Sequence, residues 1–344
     1  MTTGSTDHSS VSFRKVVAED TGLRLDRWFK LHFPGLGRGG LERMLRKGQI
    51  RVDGSRVKSN ARVEEGQAIR IPPDVPTVHT VQGGNDGGQR PRKVVLPHRA
   101  DAEEFLHRCL VFEDDSIIAI NKPHGLAVQG GSKTKTHVDG YLQALNRSGE
   151  RPRLVHRLDR DTGGLLVLAK DRKSAARLGE AFQKHTVEKT YWALTATTPR
   201  PLRGHIDLPL VKREASTKTG LELVETDQSP EARKAYTDYQ TIEHAGIGPA
   251  FVALRPLTGR THQLRVHCTA IDAPIVGDGK YGGAAAKIDG VDRRLHLFCR
   301  SMSFPHPKTS RRVSINAELT GYMQKTWRFF GFSENVSVDW QDFE

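Results

Sequence analysis

The stretch HRLDRDTGG, residues 156–164, sets two carboxylates, Asp159 and Asp161, among His156, Arg157 and Arg160, and closes in a Thr-Gly-Gly turn. Asp159 and Asp161 are two residues apart, so extended backbone would place them on one face. Three chemistries use such an arrangement. A pair of carboxylates can serve as acid and base in glycoside hydrolysis, but one must stay protonated, which flanking arginines oppose. A DxD pair can hold a metal on a diphosphate, but no nucleotide or diphosphate motif accompanies it. A lone carboxylate can be kept ionised by arginine, and the cation-rich surroundings fit this reading best. A surface ion-pair loop is the reading without chemistry.

A second constellation bears on the choice. RPLTGRTHQLRVHCTAIDAPIVGDGKYGG, residues 255–283, runs from a strand into a Thr-Gly turn. Thr261 is placed to cap a helix whose apolar face is Leu264, Cys268 and Ile271. Arg265 lies off that face and can point into a cleft. His262 and His267 are five apart, on different helix faces, which suits packing or hydrogen bonding better than a shared metal.

Other elements must position these residues. LVFEDDSIIAINKP predicts two strands about an acidic turn, and GLLVLAK a strongly apolar strand. DRKSAARLGEAFQKH predicts a helix capped by Asp171. VEKTYWALTA, PAFVALRP and RRVSINAEL predict further strands. Strands outnumber helices without regular alternation, which implies an α+β domain on a mixed, largely antiparallel sheet over 101–344. Ahead of it, 76–100 is rich in Gly, Pro, Gln and Asn and predicts a linker. Residues 1–20 predict a disordered tail. Residues 21–75 predict a small domain: a helix face of Leu25, Trp28, Phe29 and Phe33, a second helix ending at Gly48, two short strands about Asp53-Gly54, and a third at 68–73.

The chain of 344 residues has a net charge of +13, which points to a polyanion. Between Leu23 and Ile71 there are twelve Lys/Arg against five Asp/Glu. The three cysteines, Cys109, Cys268 and Cys299, are widely spaced with no CxxC pair, so neither a disulfide framework nor a zinc site is indicated. No apolar run reaches membrane-spanning length, and the N-terminal residues lack a secretory signal's features, so the cytoplasm is expected.

The block RLDRW, LERMLRKGQIRVDG and IRIPP resembles the S4 RNA-binding domain, which implies an RNA face carrying Arg43, Arg46 and Lys47. INKPHGLAVQGG, LVHRLDRDTGGLLVLAK, VEKTYWAL, LTGRTHQLRVH with PIVGDGKYG, and RRLHLFCRSMSFPHP follow one another over about 115–307. This ordered set resembles the RluA-type RNA pseudouridine synthase family, and the layout is most similar to its branch that modifies large-subunit ribosomal RNA. The resemblance implies isomerisation of uridines in 23S rRNA or its large-subunit precursor, by a monomer, without cofactor, metal or ATP. It leaves two alternatives: other rRNA or tRNA uridines, or a non-catalytic RNA-binding or ribosome-assembly role. It implies Asp159 as the catalytic acid, acting as nucleophile or base, and Arg265 as its ion-pair partner. Tyr191 would contact the flipped base, Arg157 would fill the space the base leaves, and Leu295 would form part of an apolar wall. The family usually has Thr-Ser-Gly where this chain has Thr162-Gly163-Gly164.

Overall fold

The computed structural model describes residues 11–75, 96–130, 136–146, 151–214 and 222–340. They fall into two compact units that divide between residues 92 and 93. In the first, β1 (Ser12–Lys15), β2 (Arg51–Val52) and β3 (Ala68–Ile71) form an antiparallel sheet in the order β1-β3-β2. Helices α1 (Leu25–His32) and α2 (Arg38–Arg46) complete the unit. The apolar face foreseen for the first helix is its core, with Leu25, Trp28 and Phe29 at most 1% exposed. Gly48, at φ +70°, ends α2 in the left-handed conformation that a Cβ disfavours. Arg43, Arg46 and Lys47 are all exposed.

Two expectations are corrected here. Residues 12–20 are ordered, whereas 1–10 lie outside the described residues. β1 takes the otherwise open edge of β3, Val16 is in the core, and buried Asp20 accepts hydrogen bonds from Trp28 Nε1 at 2.9 Å and His32 at 2.6 Å. The Asp53-Gly54 turn forms with both residues at positive φ, but only its first arm is a strand. The second arm returns through a single bridge, Val52 to Ser55, and forms no strand, which leaves β2 at the edge of the sheet.

The second unit contains α3 (Arg99–Cys109), β4 (Leu110–Glu113), β5 (Ile117–Lys122), α4 (Val138–Ala144), β6 (Arg153–Leu154), β7 (Gly163–Ala169), α5 (Arg172–Gln183), β8 (Glu188–Thr195) and β9 (Arg203–Asp207). The hairpin β10 (Leu210–Glu214) and β11 (Glu222–Thr226) follows. Then come β12 (Tyr236–His244), β13 (Ala250–Pro256), α6 (Gln263–Ala270), β14 (Leu297–Pro305), β15 (Arg312–Asn316) and α7 (Gly321–Phe330). Within the expected linker, 76–95 lie outside the described residues, and α3 already begins at Arg99 because Ala102 and Phe105 belong to the core.

Among the described residues ten strands form one mixed sheet, ordered β4-β5-β7-β14-β8-β13-β12-β9, with β6 beside β7 and β15 beside β14. All its pairings are antiparallel except β7 with β14, so the α+β, largely antiparallel expectation holds. β7 is buried at all seven positions, the pattern of a central strand covered on both faces. Asp171 caps α5, its carboxylate accepting the Ser174 N–H at 2.9 Å. Among the described residues no helix is long and apolar enough to cross a membrane.

Candidate active site

The loop between β6 and β7 carries the first motif, and buried groups anchor it on both sides of Asp159. His156 Nε2 accepts the Val167 N–H at 2.9 Å, and its ring stacks on Phe182 with centroids 4.7 Å apart. Burial, aided by the charge of Lys189, pushes its pKa down to about 3, so it is a neutral structural acceptor. Leu158 is packed in the core. Beyond Asp159, the Arg160 carbonyl accepts both the Gly125 N–H at 2.9 Å and the Lys122 ammonium at 3.2 Å. Thr162 N–H closes a turn on the Asp159 carbonyl. These anchors leave the Asp159 side chain 26% exposed, facing a cleft. Asp161 instead pairs with its neighbour Arg160 at 3.0 Å, toward solvent.

The cleft has a volume of about 360 Å³. Asp159 is the one carboxylate among its described lining residues, which also include Arg157, His185, Lys189, Arg260, His262 and Arg265. An acid/base carboxylate pair is therefore not what this cleft offers. Tyr191, from β8, lies in it beside Asp159. Burial, together with Cys299 and the Asp159 charge, raises its phenol well above the ordinary value, so it stays neutral. Arg157 is exposed at the rim and makes no hydrogen bond or ion pair among the described residues. Among the described residues no cluster of three or more His, Cys, Asp or Glu could hold a metal ion.

Helix α6 supplies the opposite wall, and here the sequence reading needs correction. Arg265 does line the cleft, but its ion pair is with Asp278: Nε to Oδ2 2.8 Å and Nη2 to Oδ1 2.6 Å. The Asp278 side chain is wholly buried in the loop after α6, where it also accepts the N–H groups of Lys280 and Tyr281. A buried carboxylate requires a cation, and the planar guanidinium fork matches both its oxygens. Burial opposes the Arg265 charge, but the Asp278 bonds, and then the Asp159 charge, hold its pKa above the usual arginine value. Its positive charge thus acts on Asp159 through space, without a direct bond.

The cap of α6 differs as well. His262, not Thr261, is the residue before the helix, in the left-handed region at φ +55°. Buried Gln263 fixes this geometry, accepting from Thr258 Oγ1 and Arg260 N and donating to the Tyr236 carbonyl and Thr237 Oγ1. His262 Nε2 then lies 3.8 Å from Asp159 Oδ2, and its Nδ1 lies 2.6 Å from the Tyr281 hydroxyl. His267 is buried and bonded to Thr237 and Leu208, a packing histidine as its spacing suggested.

Leu297, not Leu295, lines the Asp159 cleft. Leu295 precedes β14, is buried, and lines a neighbouring cavity of about 420 Å³ that shares His262 and Arg265 with the cleft. Gly163 also has a reason: a Cβ there would run into the imidazole of His124. The sequence reading gave His262 a packing or hydrogen-bonding role, which its bond to Tyr281 bears out, but did not set it beside Asp159, and it missed Lys122, Asp278 and Leu297. Two of them carried a visible mark, a lone lysine ending the apolar run IIAINK and an aspartate between the glycines of VGDGKYGG.

A family model described as RNA pseudouridylate synthase matches residues 116–270, which include Asp159, Tyr191 and Arg265. The chain is 34% identical over 307 residues to the ribosomal large subunit pseudouridine synthase C of Rickettsia bellii, spanning 88% of this chain and 96% of that protein. It is 30% identical to the protein of the same name from Vibrio cholerae, over 92% of this chain and 96% of the other. Among solved structures it is similar to human RNA pseudouridylate synthase domain containing 4. The TM-score is 0.56 and the identity 29%, over 67% of this chain and 95% of that one.

Proposed function

This chain belongs to the RluA-type family of RNA pseudouridine synthases and is an isomerase acting on RNA; from that premise we propose that it converts uridines of large-subunit (23S) ribosomal RNA to pseudouridine, with Asp159 as its single catalytic carboxylate. The observation that carries the reading is Asp159 itself, one carboxylate among cationic side chains beside a neutral tyrosine. The reaction breaks the uracil N1–C1′ bond, joins C5 to C1′, and moves a proton from C5 to N1. Nothing is gained or lost, so the isomerisation consumes no co-reactant. The anionic carboxylate acts on the ribose, as nucleophile at C1′ or as base at C2′.

A uridine in folded RNA reaches such a cleft only when turned out of its stack. Tyr191 offers an aromatic contact for the extruded base. Arg157, exposed at the rim without a protein partner among the described residues, is placed to occupy the space the base leaves. The exposure of Arg43, Arg46 and Lys47 supports reading the first unit as S4-like, with its RNA face on those residues. The large-subunit target rests on the names of the relatives. The reading includes a cytoplasmic location and action as a monomer. Asp159→Asn should keep RNA affinity within about twofold and abolish tritium release from RNA labelled at uridine C5. Release at the wild-type rate would refute the assignment. Pseudouridine mapping of total RNA with and without the gene tests the target: lost sites in rRNA of the other subunit or in tRNA would replace it.

A further inference from the structure

Resting on the reading of Asp159 as the catalytic carboxylate, we propose that His262 is a positioning residue for it, set by Tyr281 in one tautomer so that its Nε2–H faces Asp159 Oδ2 and leaves Oδ1 free for the sugar. The hydrogen-bond network favours one site for the imidazole proton. Tyr281 Oη lies 2.6 Å from His262 Nδ1. If the hydroxyl donates to Nδ1, all the polar groups agree, and Nε2 carries the proton toward the carboxylate. If Nδ1 carried the proton, the hydroxyl hydrogen would lose its partner, and a bare Nε2 lone pair would face the Asp159 oxygen at 3.8 Å. Two unfavourable contacts would replace two favourable ones.

The imidazole is also confined. His262 occupies the position before α6 at φ +55°, beside the four-bonded buried side chain of Gln263. Tyr281 is held by the Arg265 guanidinium 4.9 Å and the Lys280 ammonium 5.3 Å from its ring centroid. Left-handed backbone at a non-glycine residue is a strain that folds retain where a side chain must be aimed. Burial lowers the His262 pKa; Asp159 opposes this, and the charges of Arg265 and Lys280 reinforce it. A neutral donor orients a carboxylate without handing it a proton. At 3.8 Å the approach is longer than a hydrogen bond, and a shift of about 1 Å closes it, as catalytic contacts do when substrate packs the site. The Nε–Nη2 edge of the arginine takes no part in this contact, because Asp278 engages it.

The test is made on the full-length enzyme. Histidine ¹⁵N spectra, assigned by comparison with His262→Gln, should show Nε2 protonated and Nδ1 bare. An Nδ1–H tautomer overturns the proposal, and this measurement needs no active variant. His262→Ala and Tyr281→Phe should each lower kcat about 10- to 100-fold by letting the carboxylate wander, with KM within about twofold. The double variant should be no slower than His262→Ala, because both changes break one chain. His262→Gln, whose amide N–H reaches near the Nε2 position, should recover part of kcat. If Asp159→Asn is inactive while His262→Ala and Tyr281→Phe keep wild-type kcat, the positioning role is wrong and the catalytic carboxylate stands. If Asp159→Asn stays active, the premise itself fails.

Discussion

Gly163 and His124 occupy one volume between them. The ring of His124 sits where the glycine's missing Cβ would be, in edge contact with Tyr322 at 4.8 Å and with its Nε2 3.2 Å from the Leu297 carbonyl. The family serine is absent at 163 because this chain places an imidazole there. Gly163→Ser should destabilise the protein by about 1–3 kcal/mol through overpacking. Adding His124→Ala should cancel most of that loss, a coupling that paired thermal unfolding curves would register. A serine variant as stable as wild type with His124 in place would remove this explanation. At this scale the sequence named Asp159, Tyr191 and Arg265 correctly as residues of one cleft. It misassigned the arginine's partner, because many carboxylates can reach an arginine and only burial tells which one requires it. Nor did it place His262 beside Asp159, since helical spacing assumes helical backbone and this residue is left-handed.

Between elements, the tie that matters most joins the end of β5 to the Asp159 loop. Lys122 is fully buried and donates to the carbonyls of Pro123 at 3.0 Å, Leu126 at 2.8 Å and Arg160 at 3.2 Å. Burial pushes its pKa down to about 8, against the pull of Asp161 and Asp159. In the unfolded chain it titrates near the ordinary lysine value of 10.5, so between pH 8 and 10.5 the unfolded state binds more protons than the folded one. Stability contributed at this site should therefore rise with pH across that window, by up to about 1.4 kcal/mol per unit. Denaturant unfolding of the wild type and Lys122→Met at several pH values checks this. Parallel trends in the two proteins would contradict it. The apolar strands were legible because burial on both faces leaves an unbroken hydrophobic run, as in GLLVLA. β1 was not: SFRK is exposed at all four positions, and backbone pairing with β3 is what makes it a strand.

For the whole molecule, charge carries the argument from sequence to substrate. The first unit concentrates basic side chains, and Arg43, Arg46 and Lys47 lie exposed at the end of α2. Reversing all three charges should weaken RNA binding and flatten its salt dependence, the log–log slope losing about 0.7–0.9 per phosphate contact removed. Unchanged affinity and slope in a filter-binding titration would show that RNA lies elsewhere. Composition and motif order made this scale the most legible, since net charge and an ordered series of motifs survive without coordinates.

The single parallel pairing among the described strands of the large sheet sets Phe298 against Gly163 and Cys299 against Gly164. The loop holding Asp159 is thereby closed by a strand made more than a hundred residues later. A chain emerging in sequence order exposes its carboxylate long before the wall that faces it exists. Contacts of such long sequence separation form late, after much loop-closure entropy has been spent. The cleft around Asp159 is therefore complete only once β14 has docked, so a partly made chain can hold the Asp159 motif without the wall that Leu297 supplies.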